Sequence, residues 1–506
     1  MTFAFALTSG VLLALSFPRY GHPAVAWIAL VPLWLAVSGW TGRSAPRGVP
    51  LRKAFGLGLL AGAIYFVGTV YWTGSVIATF GEVPSALAFA AMLLLAAYLA
   101  LYPALAAVIV AQVVSRAGVA GLWVAPCAWV GSEYLRGWAF GGFPWVPLGN
   151  SQVTVIPVVQ LASLLGVYGL SLLVAFVNTA VTVALVSSGR TRLRAAVATI
   201  VLLLGVGGWG AWRVREGSLV RQGTPVRVGL LQGNIDQNDK WKPTEARRIF
   251  TTYVAMTREV VARGAEYVIW PESSTPFMFE EDVTGNASIR DLAREVRVPL
   301  LFGSDQVERT SAMSLYNAAF LVGPTGATEA VYRKMHLVPF GEFIPAKRLL
   351  YFVSPLVESL AEFSPGTQVV TLPAQGHPTS TAICYEVVYP SLVRDAVLAG
   401  SELLTTITND AWYGNSSAPY QHFALASMRA VEQGRYLARA ANTGISGLVD
   451  PYGRVVRASG IFEQVSLVET ARFLTDKTLY ARVGDVAAHV SMVVAVLALL
   501  VVGRIR

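Results

Sequence analysis

Apolar positions along this chain fall into two regimes. Through the first 215 residues they form long uncharged runs separated by short polar loops, and one more such run closes the chain. A helix needs roughly 20 apolar residues to cross about 30 Å of hydrocarbon. The pattern therefore predicts eight spans, near 2–17, 24–40, 53–75, 84–113, 118–135, 159–188, 192–214 and 486–503. The first run is short, yet no basic leader or small-residue cleavage site accompanies it, so it reads as a retained anchor rather than a signal peptide. GLGLLAG (56–62) reads as a span with small packing residues, not as a phosphate-binding loop.

From Val226 to about Leu474 the apolar runs shorten, and β-rich segments alternate with amphipathic helices between glycines and prolines. Predicted strands are 226–232, 266–272, 299–304, 315–322, 328–335, 368–373, 380–386, 402–408 and a pair within 446–456. VGPTG (322–326) and DPYG (450–453) read as hairpin turns. Predicted helices cover 245–263, 285–297, 390–399 and 420–437. Alternating strand and helix over a stretch of this length suffices for one core. The expected organisation is a seven-helix membrane domain (1–216), one α/β domain (217–480) and a C-terminal span (486–503). The fold class is thus a multi-pass α-helical membrane domain of about eight transmembrane helices joined to an α/β domain.

Composition sharpens this picture. Of 506 residues, 54% are hydrophobic and only 14% charged, with mean hydropathy +0.53; an ordinary soluble chain carries about 25% charged residues. The formal net charge is +9, but its placement matters more than its size. Arg43, Arg47, Arg52 and Lys53 share one side with Arg116, with Arg190, Arg192 and Arg194, and with Arg504 and Arg506, while the opposite loops hold only Arg19 and Arg136. Basic loops stay in the cytoplasm, so both termini are expected there and the α/β domain on the far side. No basic stripe with interleaved aromatics is present, and no nucleic-acid partner is expected. The two cysteines cannot build a disulfide framework. Cys127, inside a predicted span, reads as a small packing residue. Cys384, in a domain expected to face an oxidising compartment, reads as a thiol kept for chemistry.

Three polar residues fall at or just beyond predicted strand ends, where sites gather on α/β sheets. They are Glu272 in EYVIWPE, Lys334 in VYRKMHLVPFGE and Cys384 in STAICYE. A free cysteine is only a few per cent thiolate near neutral pH. A nearby carboxylate can take its proton, and an ammonium can hold the thiolate and then the oxyanion of a tetrahedral intermediate. Each residue also has an ordinary reading: Glu272 as a helix cap or surface charge, Lys334 on a solvated strand face, Glu386 as an ion-pair partner. Their order and flanks together favour the chemical reading. Glu133 and Arg136, three apart at the outer end of a span, read either as a functional intramembrane pair or as an interfacial ion pair. GWAFGGFPW (137–145) reads as an aromatic belt that is also a candidate lipid entrance. His336 and His422 lack partners at ligand spacing, so no metal is expected; His336 reads as ordering the lysine loop.

WPES (270–273), YRKMHLVPFGEFIP (332–345) and CYEVVYP (384–390) resemble the Glu, Lys and Cys motifs of the nitrilase superfamily, in that family's order. With seven preceding spans and one following, the whole chain resembles the bacterial apolipoprotein N-acyltransferases. FGEVPSALAFAAMLLLAAYLALYPAL (80–105), GGFPWVPLGNSQ (141–152), LLQGNIDQNDKW (230–241), TNDAWYG (408–414) and MRAVEQGRYLARAANTGISG (428–447) extend the likeness. The resemblance implies a four-layer αββα sandwich outside the membrane and a two-step acyl transfer. Glu272 would be the general base, and Cys384 would take an acyl chain from a glycerophospholipid as a thioester. The acyl chain would then pass to the α-amine of a diacylglyceryl-cysteine at an apolipoprotein N-terminus, with Lys334 stabilising the intermediates. Glu342 would be a second carboxylate near the thiol, Tyr385 and Glu386 would shape the pocket, and Trp241 would meet lipid. The same resemblance implies the bacterial inner membrane as location, a periplasmic catalytic domain held beside the lipid bilayer, no cofactor, and a monomer. A membrane-tethered amidase that passes its acyl group to water would share the three motifs; the spans and the hydrophobic stretch FIPAKRLLYFVSPL (343–356) favour lipid substrates. A catalytically inert scaffold for lipid or lipoprotein has no need of a free thiol beside two carboxylates and a lysine.

Overall fold

The computed structural model describes residues 1–42, 45–81, 83–309, 313–343 and 362–504. Arg43 and Arg506, two of the orienting basic residues, and most of FIPAKRLLYFVSPL lie outside the described residues. The chain forms two compact units, Met1–Ser75 with Pro84–Glu216 and Val483–Arg506, and Val76–Val83 with Gly217–Arg482.

Among the described residues, five helical runs are long and apolar enough to cross a membrane: Leu51–Val70, Ser85–Gly141, Ala162–Val186, Gly189–Val220 and Val486–Arg504. The predicted spans 84–113 and 118–135 fall in one of these runs, as helices Ser85–Ala117 and Ala125–Trp138 joined by the 3-10 stretch Gly118–Val124. The first predicted span is a helix of 13 residues, Thr2–Ala14, about 20 Å at the usual helical rise. The second is broken into a 3-10 turn, Pro23–Trp27, and a short helix, Val31–Val37, each with proline in its first turn. Proline lacks the N–H that would continue a helix. Asn178 closes the break: its Nδ2 donates to Ala26 O at 2.9 Å, and its Oδ1 accepts from Leu30 N–H at 2.8 Å.

Small residues set the helix packing. Gly58 and Gly62 of Leu51–Val70 face Ser85–Ala117 so closely that a Cβ would lie 2.6 Å from Ala104 Cα and 2.9 Å from Ala100 Cα, the close approach that small residues permit between membrane helices. Glu133 and Arg136 are both buried. Glu133 accepts from Leu148 N–H at 2.7 Å and from the Ser171 hydroxyl at 2.5 Å. Arg136 donates to the main-chain oxygens of Phe143 and Trp145, both at 2.7 Å. Their hydrogen bonds therefore hold the loop that carries GGFPWVPLGNSQ. Within the aromatic stretch itself, Trp145 is fully buried while Phe140 is almost fully exposed.

The second unit is built on strands β1 Thr224–Gln232, β2 Tyr267–Ile269, β3 Leu300–Arg309, β4 Met313–Val322, β5 Thr328–Arg333 and β6 Leu372–Ala374. They continue with β7 His377–Ile383, β8 Leu403–Thr408, β9 Leu437–Ala441, β10 Gly447–Val449, β11 Val455–Ala458 and β12 Val465–Phe473. Two six-stranded sheets result, with orders β12-β1-β2-β3-β4-β5 and β11-β10-β9-β8-β7-β6. Parallel pairs form the centre of each, β1–β2–β3 and β7–β8–β9, and antiparallel pairs flank them. Helices Pro243–Ala262 and Val283–Val296 bury Ile249, Tyr253, Met256, Ile289 and Leu292 against Val268, Trp270, Phe302 and Phe320 of the first sheet. Helix Pro390–Leu398 contacts β7, and helix Ala418–Gln433 contacts β9.

Several strands depart from the sequence expectation. The helical pattern predicts a helix running to 437, but Gly434 adopts φ +62° and ends it at Gln433, the left-handed stop that glycine favours. The residues that follow form β9. No strand is predicted over 465–473, yet β12 pairs with β1 along its whole length. β2 is only three residues long, because the chain leaves the ladder before Pro271, which has no N–H to give.

Candidate active site

Glu272 lies three residues beyond β2, on a segment that rests against β3. Gly303 makes that approach possible: a Cβ there would stand 2.7 Å from Glu272 Cα and closer still to Ser273 N. Gly303 N–H donates to Pro271 O at 3.1 Å, and Gly303 O accepts from Ser274 N–H at 2.9 Å. Only 6% of Glu272 is exposed. Its Oε1 accepts from Asn317 Nδ2 at 2.7 Å and stands 3.5 Å from Lys334 Nζ, and its Oε2 accepts from Asn409 N–H at 2.9 Å.

Lys334 is the first residue after β5, and its N–H still donates to Asn317 O of β4 at 2.8 Å. The ammonium is buried and donates to Glu342 Oε1 at 2.8 Å. Burial opposes its charge, but the Glu342 and Glu272 carboxylates outweigh that and hold its pKa well above the usual lysine range. Glu342 also accepts from Asn317 Nδ2 at 3.0 Å and from Val338 N–H at 2.8 Å, which fixes the carboxylate on the turn that carries it.

Cys384 follows β7 directly and opens the 3-10 turn Cys384–Val388. It is buried, and its backbone takes φ +53°, a value that costs a residue with a Cβ on the order of 1–3 kcal/mol. Hydrogen bonds on both sides hold it there. Ile383 N–H donates to Glu386 Oε2 at 2.8 Å, and His422 Nε2 lies 3.1 Å from Cys384 O. His422 Nδ1 in turn lies 3.0 Å from Asp410 Oδ1, and Arg439 Nη2 donates to Asp410 Oδ2 at 2.8 Å. All three of these side chains are buried. Burial and the Glu272 charge push the Cys384 thiol up to about 12, against the pull of Lys334. Burial also works against the charge of Asp410, yet Arg439 and His422 hold that carboxyl at about 2. Burial and the Arg439 charge pull His422 below its ordinary value.

The site therefore pairs a thiol that keeps its proton at rest with a carboxylate able to accept it and an ammonium able to face developing negative charge. That is the equipment for attack on an acyl carbon with proton transfer during the attack. Among the described residues, no three His, Cys, Asp or Glu side chains are grouped to hold a metal ion.

Comparison with known proteins agrees in both halves of the chain. Residues 9–180 match the apolipoprotein N-acyltransferase N-terminal domain, and residues 227–478 match the carbon-nitrogen hydrolase family. The apolipoprotein N-acyltransferase of Geobacter metallireducens is 39% identical over 96% of this chain and 92% of its own length. This chain belongs to the apolipoprotein N-acyltransferase family. The enzyme of that name from Methylococcus capsulatus is 35% identical over 95% of this chain and 92% of its own length. Among solved structures, a mutant of the Nesterenkonia AN1 amidase from the nitrilase superfamily is 22% identical, with TM-score 0.41, over 53% of this chain and 97% of that one.

The ordinary readings of the site residues do not hold in this fold. Glu272 and Lys334 are buried, not surface charges. Glu386, fully buried, does not serve as a simple ion-pair partner: it accepts from Tyr332 Oη at 2.9 Å, Met335 N–H at 2.7 Å, His336 N–H at 3.1 Å and Ile383 N–H. It thereby ties the segment after β5 to the end of β7. Burial pushes its carboxyl up to about 7, against those N–H groups and the Lys334 charge. Tyr385 is buried with its ring edge-on to Tyr389, 5.3 Å between centroids, and the His336 ring lies 3.8 Å from that of Tyr389. Trp241 is 48% exposed.

Sequence reasoning passes over Lys240, Asp305, Asn317, Asn409, Asp410, His422 as an orienting group, and Arg439. Two signals point to some of them. Asn409 and Asp410 follow β8 just as Cys384 follows β7, and Asn317 interrupts an otherwise apolar strand. Lys240 sits beside Trp241 in a segment already marked, but its burial is not legible in the sequence.

Proposed function

We propose that this protein is a membrane acyltransferase that completes lipoprotein maturation. It moves a fatty acyl chain from a glycerophospholipid, through a thioester on Cys384, to the α-amino group of an N-terminal S-diacylglyceryl-cysteine. The observation that carries this reading is buried Glu272 and Lys334, paired with each other and both acting electrostatically on a Cys384 thiol held in a left-handed backbone, in a chain of the acyltransferase family with five long apolar helical runs among the described residues.

In the first half-reaction Glu272 takes the thiol proton as Cys384 Sγ attacks the ester carbonyl. Lys334 faces the oxyanion, and Glu272 returns the proton to the departing glycerol oxygen, releasing a lysophospholipid. In the second, the neutral α-amine attacks the thioester, Glu272 takes the proton from nitrogen, and the thiol re-forms. A thiol pushed up to about 12 gives up its proton only to a positioned base, so the resting enzyme is a poor nucleophile toward stray electrophiles.

The finer arrangement belongs to the same proposal. We assign a seven-helix membrane domain to 1–216, a catalytic domain to 217–480 and a C-terminal helix to 486–503, with about eight crossings. The two six-stranded sheets with helices on each support an αββα sandwich. The basic loops support an orientation with the catalytic domain on the periplasmic face of the inner membrane, and we take one chain as the working unit. Reporter fusions after Gly189 and after Gly223 should report opposite sides; the same side for both would overturn the orientation.

The decisive experiment separates transfer from hydrolysis. Purified protein mixed with phospholipid vesicles should stop after about one turnover with a hydroxylamine-sensitive acyl adduct on Cys384, absent in Cys384→Ser and Glu272→Gln and present in Cys127→Ser. A diacylglyceryl-cysteine peptide should discharge the adduct and gain an amide-linked chain, and an N-acetylated peptide should not. Continuous release of fatty acid, unchanged by the peptide, would identify a tethered hydrolase instead.

A further inference from the structure

A second lysine reaches the site from the loop before the Pro243–Ala262 helix. Lys240 is 6% exposed. An ammonium carries three N–H donors, yet among the described residues this one makes a single hydrogen bond to protein, a long one of 3.4 Å to the main-chain oxygen of Glu272, and no carboxylate stands at ion-pair distance. Lys334, as deeply buried, has Glu342 at 2.8 Å and Glu272 at 3.5 Å. Burial pulls the Lys240 pKa below the usual lysine range, against the carboxylates of Glu272 and Asp305, while Asp305 Oδ1 accepts from the Ser273 hydroxyl at 3.3 Å. Burying an ammonium without acceptors is costly, so a buried, under-bonded cation beside a reactive thiol points to an acceptor that arrives with the substrate. The next residue, Trp241, is half exposed, so Lys240 stands where the buried site meets its exterior.

We propose that Lys240 binds the phosphodiester anion of the acyl donor. This rests on the acyl-transfer reading above and names the part of the donor that the site holds. The ester under attack is neutral, and the acceptor offers an amine, whose protonated form a lysine repels. The phosphodiester is the permanent anion common to glycerophospholipid donors, and it is joined to the ester by one glycerol unit. Charge-assisted hydrogen bonds from an ammonium to a phosphate oxygen are among the stronger kind. When the lysophospholipid leaves, it takes that anion with it, so Lys240 acts in the first half-reaction and not in the second.

The test uses the full-length protein in detergent micelles and follows single-turnover acylation of Cys384 by two donors. One is phosphatidylglycerol, and the other is p-nitrophenyl butyrate, a neutral activated ester with no phosphate. Lys240→Met should lower the acylation efficiency with phosphatidylglycerol by about 10- to 100-fold and leave the rate with the neutral ester within about twofold. Lys240→Arg, which keeps the charge, should recover most of the loss. Peptide-driven discharge of a preformed thioester should be unchanged in both variants. Equal losses on both donors would make Lys240 a structural residue and overturn the proposal, as would no loss on either. A parent protein acylated by the neutral ester but never by phospholipid would instead overturn the donor assignment itself, and this inference with it.

Discussion

On the first sheet, β3 and β4 bury Leu300, Phe302, Phe320 and Val322 against helices that supply Ile249, Tyr253 and Ile289. On the second, β8 buries Thr405, Thr406 and Thr408, β9 buries Arg439, and helix Ala418–Gln433 buries Gln421, His422, Arg429 and Glu432. The first sheet gains about 1.5–3 kcal/mol from each large apolar side chain removed from water, a force without direction. The second must pair what it buries: Arg429 with Glu432 at 2.7 Å and Arg439 with Asp410 at 2.8 Å. Buried pairs add little net stability over an apolar filling, but losing one partner is costly. Hydrogen bonds also fix direction, and through His422 this second network fixes the carbonyl of Cys384. The sheet that ends in Cys384 is thus built for orientation, while its neighbour is built for burial.

The largest test of that contrast removes one partner from each sheet. Arg439→Met takes from the buried Asp410 carboxylate its permanent cationic partner and should cost about 3–5 kcal/mol, while Ile289→Val should cost about 0.5–1.5 kcal/mol. Thermal unfolding of the purified chain reads both. Adding Asp410→Asn to Arg439→Met should restore part of the loss, because the buried charge is gone. Equal losses from Arg439→Met and Ile289→Val, or no recovery in the double variant, would dissolve the distinction.

Two buried aspartates sharpen it by pH. On β3, burial pushes the Asp305 carboxyl up to about 6 against the pull of Lys240; in the second network Asp410 stands at about 2 despite its burial. A raised carboxyl contributes stability that is complete below its ordinary 3.8 and is lost as pH rises through about 6. A lowered one contributes stability present above 3.8 and lost as pH falls toward 2. A tenfold change in proton affinity is worth about 1.4 kcal/mol, so each limb is on the order of 2–3 kcal/mol. Asp305→Asn should flatten the limb on the neutral side and Asp410→Asn the acid limb. Exchange of those two outcomes would reverse the account of both groups.

His422 gives a smaller effect, read in the reaction. His422→Leu removes the group that faces Cys384 O but leaves Glu272 and Lys334 in place. Loss of one hydrogen bond should slow thioester formation about tenfold, mostly in the maximal rate rather than in donor affinity. A rise in donor KM with an unchanged maximal rate would show that His422 does not orient the thiol.

The same division decides what can be read from the sequence. On the first sheet, alternation and turn signals locate β1, β3, β4 and β5, and the apolar faces of Pro243–Ala262 and Val283–Val296 give those helices within two residues. On the second, LARAA hides β9, because alanine and arginine are weak strand formers and a buried arginine carries no hydrophobic signal. Glu272, Lys334 and Cys384 are visible because each sits at or just past a strand end inside a recognisable motif. Lys240, Asp410 and Arg439 are not, since whether a charge is buried and paired depends on contacts between strands far apart in the chain. The second predicted span is not a single long helix for a local reason that the sequence does carry, namely Pro23 and Pro32.

The smallest effect sets the lower bound of the comparison. Arg258 and Glu295, on the two helices that cover the first sheet, form a two-pronged pair, with both bonds at 2.7 Å. Their geometry is as good as that of Arg439 and Asp410, but both side chains are at least half exposed. In water each partner regains hydration when the other is removed, and holding two long side chains together costs rotamer freedom. Arg258→Ala should therefore shift the unfolding temperature far less than Arg439→Met. The residual shift should vanish near 1 M salt, where the screening length falls to about 3 Å. The loss in Arg439→Met should persist there, because salt does not enter a buried network. A double-mutant cycle on each pair, at low and high salt, reads the two couplings directly. Similar couplings with similar salt dependence would show that burial is not what distinguishes the two sheets.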